Sequence, residues 1–463
     1  MKMKEMTLLD VAKAVNGKYI GSDPSALVED ITLDSRGVQK GSLFIAIRGE
    51  RSDGHDYIEA AFEKGACAAL SEQPIKNPGG AYILVDDTLQ AIQDLSEYYR
   101  SLFNIPVIGV TGSVGKTTTK EMIGAVLSQK YNVLKTQGNF NNEIGVPITL
   151  FGLRDGHQAA IIEMGISDFG EMRRLSRMVK PTMVVMGVIG YSHLEFLGSR
   201  EGVLSAKGEI FEYADENCIA VVNGDDDLLR EMNLNDFCQN AQNMKKLRYG
   251  MAADNDFIAE DIRNLGTDGV ASVLRYNGKQ FSVHIPAFGN HMVYAALAAA
   301  AVGDSLGLTV EEITQGIAAF KNVGKRADIT DTGYISIIDD CYNANPNSVM
   351  AAIDSLSGLS GRRICVLGDM LELGGDAESL HARVGKHAAR SGIDCLICAG
   401  ELSENIYHGA KDENTQMETW YFPDKEETLA VLPSLIRKGD TVLVKASRGM
   451  KFEYIVAALK NMI

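Results

Sequence analysis

Short apolar runs alternate with segments of helical periodicity through the middle of the chain. Five of these runs are predicted to be strands, at residues 106–110, 132–136, 159–163, 182–188 and 218–222. Continuous apolar runs are typical of strands buried on both faces, and helices between them imply parallel pairing. The pattern therefore predicts an α/β domain at residues 105–322, built on a doubly wound parallel sheet. Ligands of such sheets gather at the carboxyl ends of the strands.

The same alternation returns towards the end of the chain. Strands are predicted at residues 334–338, 363–367, 394–398 and 441–444, and we interpret residues 323–463 as a separate Rossmann-like domain. Between the two series, a hairpin-rich insertion is expected at about 246–285, followed by an alanine-rich helix from Met292 to Leu306.

The first part of the chain has a mixed pattern. It predicts strands at 42–47 and 81–85 and helices at 57–64 and 88–103, with a linker at 104–106. The residue before a proline avoids the helical region, which favours the end of a helix there. Residues 1–104 are therefore predicted to be an N-terminal mixed α/β domain, the first of three.

Composition restricts the function. A length of 463 residues fits about three domains. The net charge of −16 argues against a nucleic-acid-binding surface. The seven cysteines are scattered and odd in number, which favours a reducing compartment, and the spacing of Cys395 and Cys398 is interpreted as core packing rather than a zinc site. Since no apolar run approaches the ~20 residues of a membrane span, we expect a cytoplasmic protein without a signal peptide.

A glycine-rich segment follows the strand predicted at 106–110 and precedes a helical pattern at 116–129. Strand, glycine turn and helix form the context in which backbone N–H groups bind phosphate oxygens. Lys116 would contact the β- and γ-phosphates, and the Thr117 hydroxyl would ligate Mg²⁺. The spacing is a variant, because Val110 stands where the strict motif has glycine. The predicted nucleotide-binding residues are Thr111, Gly112, Ser113, Val114, Gly115, Lys116, Thr117 and Thr118.

A dehydrogenase is the other interpretation of this loop, since Gly109, Gly112 and Gly115 are spaced by three. A dinucleotide fold also needs an acidic residue about 20 positions further on at a strand end. Lys116 and Thr117 fit phosphate and metal instead, and the dehydrogenase interpretation is set aside.

Polar residues stand at the ends of the next predicted strands. Glu163 ends a buried strand, where a carboxylate suits Mg²⁺, although it could also cap a helix. His193 follows the next strand and is either a metal ligand or an ordinary loop residue. Asn139 and Asn142 lie in a polar loop at 136–147 and either bind a ligand or serve the turn. Lys207, taken alone, is interpreted as a solvated surface charge.

Taken together, these segments resemble the Mur ligases of bacterial cell-wall synthesis. The segments that match in order and spacing are 111–118, 136–147, 163–165, 193–195 and 223–226. The resemblance covers essentially the whole chain and implies three domains in the family's order, of which the N-terminal one binds the UDP-sugar peptide.

Three further segments, 339–348, 367–374 and 444–450, resemble the family members that add D-alanyl-D-alanine to UDP-N-acetylmuramoyl-tripeptide. This resemblance implies an ATP-dependent amide ligase that acts through an acyl phosphate and releases ADP and phosphate. It implies these two substrates as partners, two Mg²⁺ ions, and a monomer. Whether the third residue of the tripeptide is lysine or diaminopimelate stays open.

The resemblance also implies residue roles. Lys116, Glu163, His193 and Lys207 would be catalytic, with Lys207 carbamylated and ligating the second metal beside His193. Further nucleotide contacts are implied for Asn290, His291, Arg326, Asp340, Tyr342, Asn343 and Asn345. Substrate contacts are implied for Ser35, Arg36, Asn139, Asn142, Lys445 and Arg448.

Three positions depart from the family pattern. Met292 and Ala295 stand where relatives often have asparagines, and Ala446 stands where glycine is usual. Ala295 removes an amide that could bind the nucleotide, so a catalytically inactive scaffold stays open as an alternative. A folylpolyglutamate-synthetase-like ligase would lack the separate N-terminal domain, and a GTP-hydrolysing switch would need an Asn-Lys-x-Asp segment that this chain lacks.

Overall fold

The chain folds around three separate β-sheets that follow one another along the sequence. The computed structural model describes residues 3–49, 52–76, 78–238, 241–324, 326–413 and 416–462. The three sheets lie within the limits predicted for the three domains, and the limits themselves stay predictions.

The N-terminal sheet has five strands in the order β1-β5-β4-β3-β2, with β1 antiparallel to β5 and the other pairs parallel. The strands are β1 (Lys18–Ile20), β2 (Asp30–Thr32), β3 (Ser42–Ile45), β4 (Ala68–Ser71) and β5 (Ala81–Leu84). The helices are α1 (Leu8–Ala14), α2 (Ile58–Glu63) and α3 (Thr88–Ser101). The predicted strands at 42–47 and 81–85 and both predicted helices are confirmed, while α1, β1, β2 and β4 were not predicted.

The central sheet has nine strands in the order β14-β13-β12-β11-β10-β9-β6-β8-β7. The strands are β6 (Val107–Thr111), β7 (Val133–Lys135), β8 (Ala159–Glu163), β9 (Met183–Met186), β10 (Ile219–Asn223), β11 (Lys245–Gly250), β12 (Phe257–Asn264), β13 (Val270–Tyr276) and β14 (Lys279–Ile285). The helices are α4 (Lys116–Leu127), α5 (Gly145–Phe151), α6 (Glu171–Val179), α7 (Leu194–Leu197), α8 (Arg200–Gly208), α9 (Asp227–Glu231), α10 (Met292–Ser305) and α11 (Val310–Ala318). All five predicted central strands are confirmed.

The segment predicted as a hairpin-rich insertion is part of this sheet. Strand β11 pairs in parallel with β10, and β12 continues the parallel order before it turns antiparallel to β13. Strands β13 and β14 form an antiparallel hairpin at the edge. The insertion therefore widens the central sheet instead of forming a separate unit.

Helix α10 lies in the middle of the central domain and is apolar on every side. Its run from Ala295 to Val302 is buried throughout. Small alanine side chains let it pack closely on α4 and on the strands beside it.

The C-terminal sheet has six strands in the order β15-β16-β20-β17-β18-β19, with only β15 antiparallel. The strands are β15 (Asp328–Asp331), β16 (Ser336–Asp339), β17 (Arg363–Gly368), β18 (Cys395–Ala399), β19 (Glu418–Phe422) and β20 (Thr441–Lys445). The helices are α12 (Pro346–Ser357), α13 (Ala377–Arg390), α14 (Ser403–Asp412), α15 (Lys425–Leu435) and α16 (Glu453–Lys460). The four predicted strands are confirmed, and the edge strands β15 and β19 were not predicted.

Helices α13 and α14 cross at two glycines. A Cβ on Gly385 would lie 1.9 Å from the carbonyl oxygen of Ile406, and one on Gly409 would lie 2.1 Å from that of Ala382. The two backbones are therefore closer than any side chain at these positions would allow.

Most of the cysteines lie in the interior. Five of the seven are buried, and Cys395 and Cys398 lie in β18, which confirms their interpretation as core residues. No helix in the described part of the chain combines the length and apolarity that crossing a membrane requires.

Candidate active site

A cleft of about 840 Å³ opens at the carboxyl ends of β6 and β8 and is closed by loops of the C-terminal domain. It brings together most of the predicted site residues. Those that line it are Ser113, Val114, Gly115, Lys116, Thr117, Thr118, Asn139, Asn142, Glu163, His193, His291, Arg326, Asp340, Tyr342, Asn343, Asn345 and Lys445. Arg448 lines an adjoining cavity of about 340 Å³. Thr111, Gly112, Lys207, Asn290, Ser35 and Arg36 do not line the cleft.

The predicted phosphate loop joins β6 to α4. Gly112 has a φ of +146°, and a Cβ there would lie 3.2 Å from the backbone of Gly187. Gly115 has a φ of +78° and directly precedes α4, whose first backbone N–H groups face the loop. Lys116 donates to the Gly112 carbonyl oxygen at 2.8 Å. The loop therefore has the form of an anion-binding helix N-terminus with a lysine folded over it.

The charge of Lys116 depends on its neighbours. Desolvation inside the cleft lowers the pKa of Lys116, and the nearby guanidinium of Arg326 lowers it further. Glu163 acts in the opposite direction. A phosphate group placed in the loop would add to the effect of Glu163 and favour the charged lysine.

Glu163 ends β8 and is buried. Its Oε1 accepts a hydrogen bond of 2.9 Å from the Asn141 amide, whereas its Oε2 accepts none in the described structure. Lys120 Nζ lies 3.7 Å from that Oε2 and donates to the Thr136 carbonyl oxygen at 2.7 Å. No described helix is capped by Glu163. A buried carboxylate oxygen without a hydrogen-bond donor suits a cation, so these residues fit Mg²⁺.

Unmodified side chains supply only a few possible metal ligands in the cleft. Within the described ranges, no three His, Cys, Asp or Glu side chains converge as a metal-binding group. Mg²⁺ usually takes only one or two carboxylates together with phosphate oxygens and water. Glu163 and the Thr117 hydroxyl are therefore a sufficient protein contribution for one ion bound with a nucleotide.

Lys207 lies on α8 and is only 1% exposed, so its interpretation as a solvated surface charge is wrong. None of the residues that the structure describes makes a hydrogen bond or ion pair with its Nζ. Burial lowers the pKa of Lys207 well below its usual value, and the nearby Lys116 lowers it further. A neutral buried amine is the form that reacts with CO₂, so Lys207 fits the expected carbamate.

His193 follows β9 in the turn before α7, seven residues beyond the strand end, and has a left-handed backbone with a φ of +54°. Its Nδ1 lies 2.6 Å from Oε2 of Glu372, a residue of the C-terminal domain. The two groups are not aligned as a formed hydrogen bond. Burial lowers the pKa of His193, and Lys207 lowers it further. His193 is therefore at the junction of two domains and on the wall of the cleft.

The opposite wall of the cleft carries Tyr342 between two guanidinium groups. Arg326 lies 4.6 Å and Arg448 5.3 Å from the centre of its ring. Beside it, Lys445 Nζ lies 2.6 Å from Oδ2 of Asp340, in a mostly buried ion pair. This wall offers positive charge and an aromatic face towards the phosphate loop.

Asparagines of the C-terminal domain contact the central domain directly. Asn345 caps α12, and its amide lies 3.5 Å from the Ser113 carbonyl oxygen. Asn347 accepts a hydrogen bond of 3.2 Å from the Tyr191 backbone N–H. The C-terminal domain therefore contacts both the phosphate loop and the segment that follows β9.

Several residues at the site were not predicted. Lys120 was missed, although it lies one helical turn from Lys116 on the same face of α4. Asn347 was missed inside an asparagine-rich segment that was otherwise noted. No signal in the local sequence identifies Glu372, because its role depends on how two domains meet.

The residues predicted for the UDP end are not at the cleft. Arg36 pairs with Asp34 at 2.8 Å, its side chain is 88% exposed, and Ser35 lies in the same turn. The side chain of His55, in a later loop of the same domain, is 7% exposed, with its Nδ1 2.6 Å from Asp53. The structure explains the pairs Arg36–Asp34 and His55–Asp53 as turn and loop contacts, and substrate roles for Ser35 and Arg36 stay predictions.

The beginning of α10 lines part of the cleft wall. Asn290 is exposed just outside it, and His291 Nδ1 lies 3.4 Å from the Ser355 hydroxyl. Met292 and Ala295 line the cleft as apolar surface. At these two positions the cleft wall therefore offers apolar contact and no hydrogen-bonding side chain.

Comparisons with known proteins agree along the whole chain. The catalytic domain of the Mur ligase family matches residues 28–100, the Mur ligase middle domain matches 110–303, and the Mur ligase glutamate ligase domain matches 325–448. A UDP-N-acetylmuramoyl-tripeptide–D-alanyl-D-alanine ligase of Bacillus subtilis is 39% identical over 99% of both chains.

Two solved structures with similar folds are of proteins named MurF. A crystal structure of MurF from Acinetobacter baumannii superposes with a TM-score of 0.90 at 30% identity, covering 99% of this chain and 100% of that one. MurF from Thermotoga maritima, solved in complex with ADP, gives a TM-score of 0.82 at 29% identity, covering 94% and 97%.

Proposed function

This chain belongs to the Mur ligase family, and we propose that it joins D-alanyl-D-alanine to UDP-N-acetylmuramoyl-tripeptide at the expense of ATP. The observation that carries the proposal is the single cleft that holds the phosphate loop, Glu163 and the charged wall around Tyr342. Relatives that span the same length bear the name of this activity, and one was solved with ADP.

The chemical problem is to bring a carboxylate against a triphosphate. Two unit charges 4 Å apart repel by about 4 kcal/mol at an effective dielectric near 20. Lys116 and the N–H groups at the start of α4 offset this repulsion on the phosphate side. Mg²⁺, held by Thr117 and Glu163 and at a second position by His193 and carbamylated Lys207, would neutralise further phosphate charge when bound.

The carbamate is a proposal in its own right. The neutral Lys207 amine would attack the carbon of CO₂ and release one proton to solvent, which leaves an anionic carbamate. Burial, and the absence of an ion pair or hydrogen bond to Nζ among the described residues, support this modification. The carbamate supplies the further anionic oxygen that the unmodified side chains do not provide.

The reaction then needs two displacements. A carboxylate oxygen of the tripeptide attacks the γ-phosphorus, and ADP leaves. The amine of D-alanyl-D-alanine attacks the acyl carbon, loses a proton, and phosphate leaves with the C–O bonding electrons. Water would hydrolyse the acyl phosphate, so contacts of Asn345 and Asn347 across the cleft support a closed reacting state.

The remaining assignments of residues to ligands are also proposals. The guanidinium groups of Arg326 and Arg448 and the Asp340–Lys445 pair would meet the nucleotide or the incoming dipeptide. Asn139 and Asn142, on the central side, would meet the tripeptide. The monomeric state and the cytoplasmic location stay predictions.

The proposal is tested by isotope exchange between ADP and ATP in the purified protein. We expect exchange that depends on UDP-N-acetylmuramoyl-tripeptide, and amide formation with D-alanyl-D-alanine that far exceeds formation with D-alanine. Turnover of GTP without tripeptide would favour a nucleotide switch. Lack of both nucleotide turnover and exchange would favour an inactive scaffold.

Lys116→Ala gives the matching mutational prediction. Removing a preorganised cation from the phosphate site is expected to lower kcat about 10²–10³-fold. The control is Lys386→Ala, which removes an exposed lysine of α13 and should leave the rate unchanged. Full-speed coupling by Lys116→Ala would contradict the role of the loop.

A further inference from the structure

Two loops from different domains meet beside the cleft. His193 belongs to the turn after β9, and Glu372 belongs to the loop after β17. The distance between His193 Nδ1 and Glu372 Oε2 is 2.6 Å. This contact joins a predicted metal ligand to a residue that the resemblance gave no role.

Both residues have strained backbones. The φ angles are +54° for His193 and +63° for Glu372, in the left-handed region that favours glycine. Such conformations cost of order 1–3 kcal/mol each and persist only where the surroundings impose them. Because both strained residues bring their side chains to the same contact, the fold maintains this contact at a cost in free energy.

The Glu372 loop is held against the central domain by its backbone as well. The Glu195 N–H donates to the Glu372 carbonyl oxygen at 3.4 Å. A Cβ on Gly374 would lie 3.1 Å from the Cα of Glu195. The close approach fixes the position of the Glu372 carboxylate relative to the His193 ring.

We propose that Glu372 is a positioning residue, whose carboxylate accepts the Nδ1–H of His193 and leaves the lone pair on Nε2 free to ligate a cation in the cleft. A neutral imidazole has a single N–H, and the hydrogen bond at one nitrogen determines which nitrogen can bind a metal. The inference rests on the proposed metal role of His193. It adds that a residue of the C-terminal domain determines the tautomer of His193, a metal-ligating residue of the central domain.

The imperfect alignment of the two groups is consistent with this role. Hydrogen bonds at active sites are often long or bent before ligands bind, and tighten in the loaded complex. A small rotation of either side chain would align the contact, since the distance is already short. Carboxylate partners of metal-ligating histidines typically affect metal affinity or activity by 10–100-fold when removed.

The first test is spectroscopic and needs no metal or nucleotide. Long-range ¹H–¹⁵N correlation spectra of enzyme labelled at histidine distinguish the Nδ1–H from the Nε2–H form, and His193→Gln identifies the signal. We expect the Nδ1–H form in the wild type and in Glu372→Gln, whose amide oxygen still accepts. Glu372→Ala should lose this preference.

The second test measures the Mg²⁺ concentration that gives half-maximal ligase rate. Glu372→Ala should raise it about 10–100-fold, and Glu372→Gln should leave it close to the wild-type value. The control is Glu378→Gln, which removes an exposed carboxylate from α13. An unchanged tautomer in Glu372→Ala, or equal shifts in the alanine and glutamine variants, would overturn the inference.

The two proposals can fail separately. If His193→Gln keeps the wild-type dependence on Mg²⁺, the metal role of His193 is wrong, whatever the tautomer spectra show. If His193→Gln loses that dependence while Glu372→Ala keeps both the tautomer and the Mg²⁺ response, only the role of Glu372 is wrong.

Discussion

Lys207 is buried, and no described residue forms an ion pair or a hydrogen bond with its Nζ; the more distant charge of Glu171 offsets only part of the effect of burial on its pKa. Burying a polar group without a hydrogen bond destabilises a protein, and a buried amine reduces that cost by losing its proton. A buried lysine at this position therefore does not stabilise the fold, and its presence is explained by the reactivity of its amine.

Replacing Lys207 with methionine keeps the stem of the side chain and removes the amine. We expect Lys207→Met to raise the free energy of unfolding by about 1–3 kcal/mol at pH 7, and to abolish ligase activity. Urea denaturation in CO₂-free and Mg²⁺-free buffer measures the first effect. Added bicarbonate should not restore the lost ligase activity.

The pH dependence of this stability difference has a definite sign. Between the lowered pKa of Lys207 in the folded chain and its usual value in the unfolded chain, only the unfolded state binds the proton. The wild type therefore becomes more stable as the pH rises through this window, and the advantage of Lys207→Met shrinks. A constant difference between pH 6 and pH 9 would contradict a lowered pKa.

The sequence identifies some of these residues and not others, for physical reasons. Lys116 and Glu163 are predictable because a loop motif and a strand end fix their positions locally. The burial of Lys207 depends on the packing of α8 against other elements, and its local sequence resembles an ordinary helix surface. The contact of Glu372 with His193 requires two domains to meet.

At the scale of elements, the crossing of α13 and α14 depends on two glycines. Gly385 and Gly409 face backbone atoms of the opposite helix, with no space for a methyl group. Backbone carbonyl groups cannot move aside as a flexible side chain does, so any substitution must separate the helices.

Gly385→Ala is expected to lower the free energy of unfolding by about 1–3 kcal/mol, the usual cost of overpacking a close contact. Chemical denaturation followed by circular dichroism measures it. Gly375→Ala is the matched control, since a Cβ there meets nothing within 4 Å. Equal stability of the two variants would show that the crossing adapts.

The strands were predictable where burial makes them continuous apolar runs. All five predicted strands of the central sheet and four of the C-terminal sheet are present. Strands β1 and β2 have three residues each, which is too short for an alternation of apolar and polar residues to be recognised. The edge strand β15 carries aspartates at both ends and has no buried residue, so its sequence resembles a loop.

At the scale of the whole molecule, one tyrosine links two domains. Tyr191 lies between the guanidinium groups of Arg200, at 5.8 Å, and Arg383, at 5.5 Å. Arg383 also donates to the Tyr191 hydroxyl at 3.1 Å. Arg200 belongs to the central domain and Arg383 to the C-terminal domain, so the ring connects the two sides of the cleft.

Arg383→Ala removes a cation–π contact and a hydrogen bond, each worth about 1 kcal/mol. Together the two contacts are worth about 2 kcal/mol, so the ratio of closed to open molecules should fall by about thirtyfold. Small-angle scattering should show a larger radius of gyration without nucleotide, and the KM for ATP should rise. Arg390→Ala is the control, because it breaks only an ion pair with Glu413 inside the C-terminal domain.

Three domains were predictable from the sequence because each has its own alternation of strands and helices. Their mutual arrangement was not, since the contacts of Tyr191, Asn345 and Glu372 each join residues more than a hundred positions apart. Pairings over such separations leave no periodic signal in the sequence.

The apolar helix α10 has a consequence for how the protein is made. Apart from α11, its main packing partners, α4 and strands β10 to β14, all precede it in the chain. When the ribosome releases this apolar helix, the preceding elements against which it packs have already been synthesised. The apolar surface of α10 can therefore be buried without a long delay, which limits the time during which it is exposed to chaperones or to aggregation.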